Sequence, residues 1–207
     1  MSLIEDLISD GYLKTPKVIQ AFKKIKREDF VLPETKHQAK ENYPLPIGYN
    51  QTISQPLTVA FMIELLDVRE GQKVLDVGAG SGWVTALLSE IVGTEGRVYA
   101  IERLADLKVF GEKNISKYGF IESGITKLVL GDGYKGLPSQ APFDRIHVAA
   151  AVEQVPLELI RQLNINGKMV IPEGKNLQDI ILIKRVSKSE YKRKHFPGFS
   201  FVPLVKD

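Results

Sequence analysis

The chain has 207 residues, 43% apolar and 26% charged, which is enough for one α/β domain with a substantial core. It has no cysteine, so disulfides, thiolate catalysis and Cys-ligated metals are excluded. A net charge of +3 is too mild to imply nucleic-acid binding, and no run of about 18 apolar residues spans a membrane.

The start, MSLIEDLISDGYLK, carries early acids and an amphipathic pattern. A secretory signal would show a basic start and a solid apolar block, so a cytoplasmic location is expected. The first 42 residues read as helical. Thr15-Pro16 is a helix start, with Thr15 as N-cap and Pro16 at the first helical position, and Val18, Ile19, Phe22 and Ile25 recur on one face. Residues 42–56, NYPLPIGYNQTISQP, have neither helical nor strand period and read as a loop. Thr58 to Leu66 is the next helix. From Lys73 strands and helices alternate: KVLDVG a strand, Trp83 to Val92 a helix, RVYAIE a strand, Leu104 to Tyr118 a helix. KLVLGD and FDRIHVAAA follow as strands, then PLELIRQL as a helix and KMVIPEG as a strand. Such alternation predicts an α/β chain with a parallel sheet covered on both faces. DIILIKRV and FSFVPLV are expected as an antiparallel edge pair joined by the basic stretch KSEYKRKHF. The whole chain, 1–207, is expected to be one domain: a helical and loop region over 1–66, an α/β core over 73–172 and a strand pair over 179–207.

VLDVG runs into AGSGW, which sets Gly78, Gly80 and Gly82 at a strand-to-helix turn. Glycines there let backbone amides approach a ligand, and the helix that follows begins with unpaired amides suited to an anion. The dinucleotide fingerprint needs Gly or Ala where Trp83 stands, which disfavours hydride chemistry on NAD. Glu102 ends the next strand, where a carboxylate can accept ribose hydroxyls, and Asp132 ends the third strand beside the same crevice. Asp76 and Asp132 also have a bland reading, as turn formers. His147 inside the fourth strand reads as a buried histidine. The three histidines are scattered, and no metal site is expected. Glycine backbone for a carboxylate and acids for ribose and adenine together suit S-adenosylmethionine.

These segments carry a resemblance. Val18-Ile19-x-Ala21-Phe22, Arg27-Glu28-Asp29-Phe30-Val31, Pro46 to Pro56, Val74 to Trp83, Ile101-Glu102-Arg103, Gly131-Asp132-Gly133, Phe143 to Ile146, Gly167 to Pro172 and Phe201-Val202-Pro203-Leu204 resemble the protein-L-isoaspartate O-methyltransferase family in colinear order. The resemblance implies a doubly wound, mostly parallel, Rossmann-like α/β methyltransferase fold with N-terminal helices over the active site, and methyl transfer from S-adenosyl-L-methionine to the α-carboxylate of L-isoaspartyl residues in damaged proteins and peptides. By position it implies that Gln51, Thr52, Ile53 and Ser54 close over the methyl donor, with Ser54 catalytic. Asp76, Gly78 and Gly80 would hold the methionine end, Glu102 the ribose, and Asp132 with Gly133 the adenine, while Val59 and Val205 line the pocket. Ile47, Thr52, Ser54, Val202, Leu204 and Val205 would grip the peptide. Asn50, Ala149, Val152 and Ser200 depart from the residues common in the family. Two rival readings are weighed: a methyltransferase of the same fold with another acceptor, such as RNA or a small molecule, and a non-catalytic S-adenosylmethionine-binding module. AAAVEQVP lacks the Pro-Pro-aromatic signature of base-amine methylation, and an intact Thr52-Ile53-Ser54 argues against decay.

Overall fold

The computed structural model describes residues 2–206. Helices α1 (Leu3–Ser9) and α2 (Pro16–Lys24) open the chain. Ser2 and Glu5 cap α1 reciprocally, satisfying two amides that would otherwise lack partners. Thr15 is the extended residue before α2, but its side chain does not cap the helix. Its hydroxyl instead donates to Glu64 at 2.7 Å, and Glu64 also accepts the Lys14 and Thr15 amides at 2.8 and 2.9 Å. One carboxylate thereby ties the start of α2 to the helix after residue 55. The helical reading of the first 42 residues holds only to Lys24. Ile25 leaves the helical region, and Arg27–Asp29 and Pro33–Gln38 are short 3-10 turns, since Pro33 has no amide to continue a helix.

The expected loop over 42–56 contains a hairpin. Strands β1 (Leu45–Gly48) and β2 (Gln51–Ile53) pair antiparallel, joined by Tyr49 and Asn50 with φ of +56° each. Two left-handed residues make the turn type whose twist suits a hairpin. Asn50 tolerates that conformation, which accounts for its standing where the family commonly has glycine. Tyr49 is held by a hydrogen bond from its hydroxyl to Asp106.

Helix α3 (Pro56–Leu66) leads to the central sheet, whose chain order is β3 (Lys73–Val77), α4 (Trp83–Val92), β4 (Arg97–Glu102), α5 (Ala105–Ser116), β5 (Thr126–Leu130), β6 (Phe143–Val148), α6 (Leu157–Arg161), β7 (Leu163–Glu173), β8 (Gln178–Arg185) and β9 (Tyr191–Phe199). Spatial order is β5-β4-β3-β6-β7-β8-β9. The first five are parallel; β8 and β9 add antiparallel. The chain winds outward from β3 through β4 to β5, then returns to β6 on the other side of β3. Ligands in open α/β sheets bind beyond the carboxyl ends of strands at such a switch point. Two buried apolar clusters lie on the two faces of the sheet, one under α1 to α5 and one under α6.

The C-terminal edge corrects the expectation. Most of the basic stretch read as a connector, from Tyr191 onward, belongs to the last strand, β9, while residues 201–206 lie outside it, with Pro203 bridged to Ala151. Lys192, Arg193 and Lys194 are exposed on β9, as suits an edge strand that must not pair with another chain. Strand β7 begins five residues earlier than Lys168.

Gly111 in α5 lies against the glycine turn after β3: a Cβ there would meet the Gly80 carbonyl at 2.8 Å. In an open helix Gly to Ala stabilises by about 1 kcal/mol. Here overpacking against backbone outweighs it, and Gly111→Ala is expected to lower stability by about 1–3 kcal/mol. Thermal unfolding checks this; a raised midpoint would show that α5 is free to move away.

Candidate active site

The turn after β3 passes through Gly78, Gly80 and Gly82 at φ of +85°, +53° and +88°, all in the left-handed region where a side chain is strained. Gly78 and Ala79 donate to the Ile101 carbonyl at 2.9 and 3.0 Å. Glu102, buried at the end of β4, accepts the Gly80 amide at 2.8 Å on one carboxylate oxygen and the Leu104 amide at 2.9 Å on the other. The acid therefore fixes the turn, and its two remaining lone-pair sites stay available.

A cavity opens above this turn. Ile47, Gln51, Thr52, Ile53 and Ser54 from the hairpin form one wall; Gly78, Gly80 and Glu102 the floor; Gly133 and Val202, Leu204 and Val205 the far side. At Gly133 a Cβ would fall 2.7 Å from Val77 and 3.0 Å from Leu204, so backbone alone fits there. The tail is fixed by Ala151, whose amide donates to Val202 at 2.8 Å and whose carbonyl accepts Leu204 at 2.7 Å.

Three expected residues are not on that wall. Asp76 is fully buried beneath the turn; its two oxygens engage the Thr85 hydroxyl at 2.6 Å and His147 Nδ1 at 2.8 Å. Alternation along β3 turns this side chain away from the crevice. Asp132 folds onto its own loop, accepting the Tyr134 amide at 2.9 Å with Lys135 at 3.5 Å, which is the turn-forming reading. Val59 is buried on α3 within the core, where α3 packs on β6 and β7. His147 is buried as expected but half satisfied, with no partner for Nε2 among the described residues. Val152 is likewise a core residue, whereas Ala149 lines the cavity.

A second, larger groove shares Thr52, Ser54, Ala149 and Val202 with the first cavity and also contains Ser200. The Ser54 and Thr52 side chains make no hydrogen bond among the described residues, so both hydroxyls are available at the junction of the two spaces.

Sequence reasoning passed over Arg27 as an individual residue. It is buried, and its guanidinium donates to the carbonyls of Ala39 (3.2 Å), Glu41 (3.1 Å), Tyr43 (2.8 Å) and Ser54 (3.2 Å). It lies 5.4 Å from the centre of the Trp83 ring at the start of α4, a favourable cation–π distance. Burial pushes its pKa down to about 10, which leaves it charged at neutral pH. Arg27 thus fixes the whole approach to Ser54. It stands among Lys23, Lys24, Lys26, Glu28 and Asp29 in the sequence, so nothing local marks it as the buried cation.

The sequence model of the protein-L-isoaspartate(D-aspartate) O-methyltransferase family matches residues 1–207. A protein-L-isoaspartate O-methyltransferase of Methanopyrus kandleri is 44% identical over 98% of this chain and 89% of its own length. One of Aeropyrum pernix is 43% identical over 99% of this chain and 78% of its own. Among solved structures, a Plasmodium falciparum protein assigned as a protein-L-isoaspartate O-methyltransferase, in complex with S-adenosyl-L-homocysteine, superposes with a TM-score of 0.89 at 24% identity, over 99% of this chain and 97% of that one. A second protein-L-isoaspartate O-methyltransferase gives 0.86 at 26% identity, over 97% of this chain and 64% of that one.

Lysine cannot reproduce the planar fork that reaches four carbonyls. Arg27→Lys is expected to cost at least about 1.5–3 kcal/mol, the worth of one charge-assisted hydrogen bond, and to expose residues 39–54 to limited proteolysis while the sheet stays folded. Cleavage indistinguishable from the parent would show that the segment holds itself in place.

Proposed function

Because the chain belongs to the protein-L-isoaspartate(D-aspartate) O-methyltransferase family, we propose a division of its reaction between the two joined spaces, with Ser54 at the boundary. The reaction is methyl transfer from S-adenosyl-L-methionine to the α-carboxylate that an L-isoaspartyl linkage leaves free, a step that initiates repair of damaged proteins and peptides. The reading extends to a single functional unit over 1–207 acting in the cytoplasm, where a chain without cysteine needs no oxidising environment.

The residues present fit the methyl donor. The floor is bare backbone at Gly78 and Gly80 and the far side bare backbone at Gly133, where side chains would be strained or would clash. A buried acid ends β4, and the first amides of α4 have no intrahelical partner. When bound, S-adenosylmethionine supplies a methyl carbon on a positively charged sulfur, the electrophile of the transfer. Glu102 accepts the ribose hydroxyls on its two remaining lone-pair sites. The start of α4 receives the methionine carboxylate. Gly133 takes the adenine against backbone, and Gln51 to Ser54 with Val205 cover the site. Asp76 acts from below the turn, through Thr85 and His147.

The larger groove receives the peptide; Val202 borders both spaces, and Ile47 and Leu204 on the walls of the donor cavity clamp the backbone where the acceptor carboxylate enters. The site needs no general base, because a carboxyl group with a pKa near 4 is already ionised at neutral pH. Ser54 donates a hydrogen bond to the acceptor carboxylate and aims one oxygen along the line of attack; alignment of this kind is worth roughly 7–11 kcal/mol. The observation that carries this reading is the unengaged Ser54 hydroxyl where donor cavity and groove meet. Ala149, Ala150 and Ala151 after β6 offer no polar side chain for a base amine, which speaks against an RNA acceptor.

Glu102→Ala is expected to weaken S-adenosylmethionine binding ten- to a hundredfold, about 1.5–3 kcal/mol for a charged hydrogen-bonding partner. Calorimetric titration measures it, and unchanged affinity would remove Glu102 from the ribose. Ser54→Ala leaves the backbone carbonyl held by Arg27 in place, so cofactor affinity should stay near the parent value while turnover falls, by up to about 10²–10³. Parent-level turnover would reduce Ser54 to a turn residue.

A further inference from the structure

The groove that meets the donor cavity at Thr52 and Ser54 has a chemistry of its own. Phe61 on α3 lies at its centre, 6.4 Å from Tyr12, 5.3 Å from Phe196 and 5.6 Å from Phe199 between ring centres. Phe201 continues the wall 6.4 Å beyond Phe199. These five rings are each only partly buried and all line the groove. No groove-lining residue is formally charged; the polar ones among them are uncharged Ser, Thr, Gln and Tyr side chains. Ser200 fills the position before Phe201-Val202-Pro203-Leu204, so no cation enters there. Lys194 lies 5.0 Å from the centre of the Phe196 ring without lining the groove.

Resting on the reading that the acceptor is an isoaspartyl peptide, we propose that this aromatic wall selects the residue flanking the isoaspartyl unit. It takes an apolar, preferentially aromatic, side chain and disfavours a charged one. The occupant follows from continuity: a peptide whose carboxylate reaches Ser54 must run its neighbouring residue into the space bounded by Phe61, Phe199 and Phe201. An aromatic side chain there loses water and gains edge or offset contacts with the rings. A Lys or Glu side chain loses hydration there, and no lining residue offers it a counter-charge.

The test is a panel of isoaspartyl peptides identical except for the residues immediately before and after the isoaspartyl unit, carrying Ala, Phe, Leu, Lys or Glu at one side or the other. Labelled methyl transfer gives kcat/KM for each. At one of the two positions Phe should exceed Ala by about tenfold, as one well-placed apolar group does in a pocket, and Lys and Glu should fall below Ala. In Phe199→Ser and Phe201→Ser the Phe-to-Ala ratio should shrink toward one. The ratio is read on a single preparation, so partial unfolding of a variant does not change it. Rates equal within twofold across the panel would overturn the selectivity and leave the methyltransferase reading standing, as would a Phe preference untouched by both substitutions. If no isoaspartyl peptide is methylated although the cofactor binds, the acceptor reading fails and this inference with it.

Discussion

Arg27 carries a positive charge into the protein beneath residues 39–54, away from water and with no acidic partner among the described residues. Carbonyl oxygens replace the counter-ion: four of them, drawn from Ala39 to Ser54, surround the guanidinium, and the Trp83 ring lies beside it. Burying such a charge is costly unless its donors are satisfied, so the segment cannot drift from those positions without stranding it. Among the described residues one donor, Arg27 Nε, lacks a partner even so, as does Trp83 Nε1. The hairpin of β1 and β2, the placement of Ser54 and the start of α3 all depend on this contact. The N-terminal region is therefore as much a part of the site as the glycine turn.

On the other side of the cavity the same logic runs with the opposite sign. Glu102 is an anion held by amides of the turn it supports, and Gly111 permits α5 to approach that turn more closely than any side chain would allow. The two ends of the chain then meet across the carboxyl ends of β3, β4 and β6: residues 47–54 from one side and 202–205 from the other. The doubly wound sheet supplies the crevice, and the covering segments decide what enters it. The groove beyond Ser54 is accordingly built from α3, β9 and the tail rather than from the sheet core.

Much of this was legible from residues alone. The bounds of α4 and the strands of the parallel core follow from apolar runs punctuated by glycine, and Glu102 follows from its place at a strand end. The hairpin was not legible, because strands of four and three residues interrupted by Pro46 are too short to show alternation. Strand β9 was hidden for a different reason: as an exposed edge it carries lysines and an arginine where a buried strand carries valine and isoleucine, so the basic stretch read as a connector. The internal partners of Asp76 and Asp132 were not legible, because the Thr85 and His147 side chains that Asp76 engages lie on other elements and Asp132 turns back to the Tyr134 amide. Arg27 escaped because its role is set by carbonyls 12 to 27 residues away, which no local pattern records.

The central claim is that the acceptor is the free α-carboxylate of an isoaspartyl unit. An ordinary aspartate carries its carboxylate on a differently directed stem, and a displacement near 1 Å can cost about a hundredfold in an aligned displacement reaction. The most direct test is labelled methyl transfer to paired peptides that differ only in L-isoaspartyl or L-aspartyl linkage. Label incorporated into the isoaspartyl peptide and none detectable in its partner is the predicted result. Equal labelling of both, or of neither while S-adenosylmethionine binds well, would contradict it.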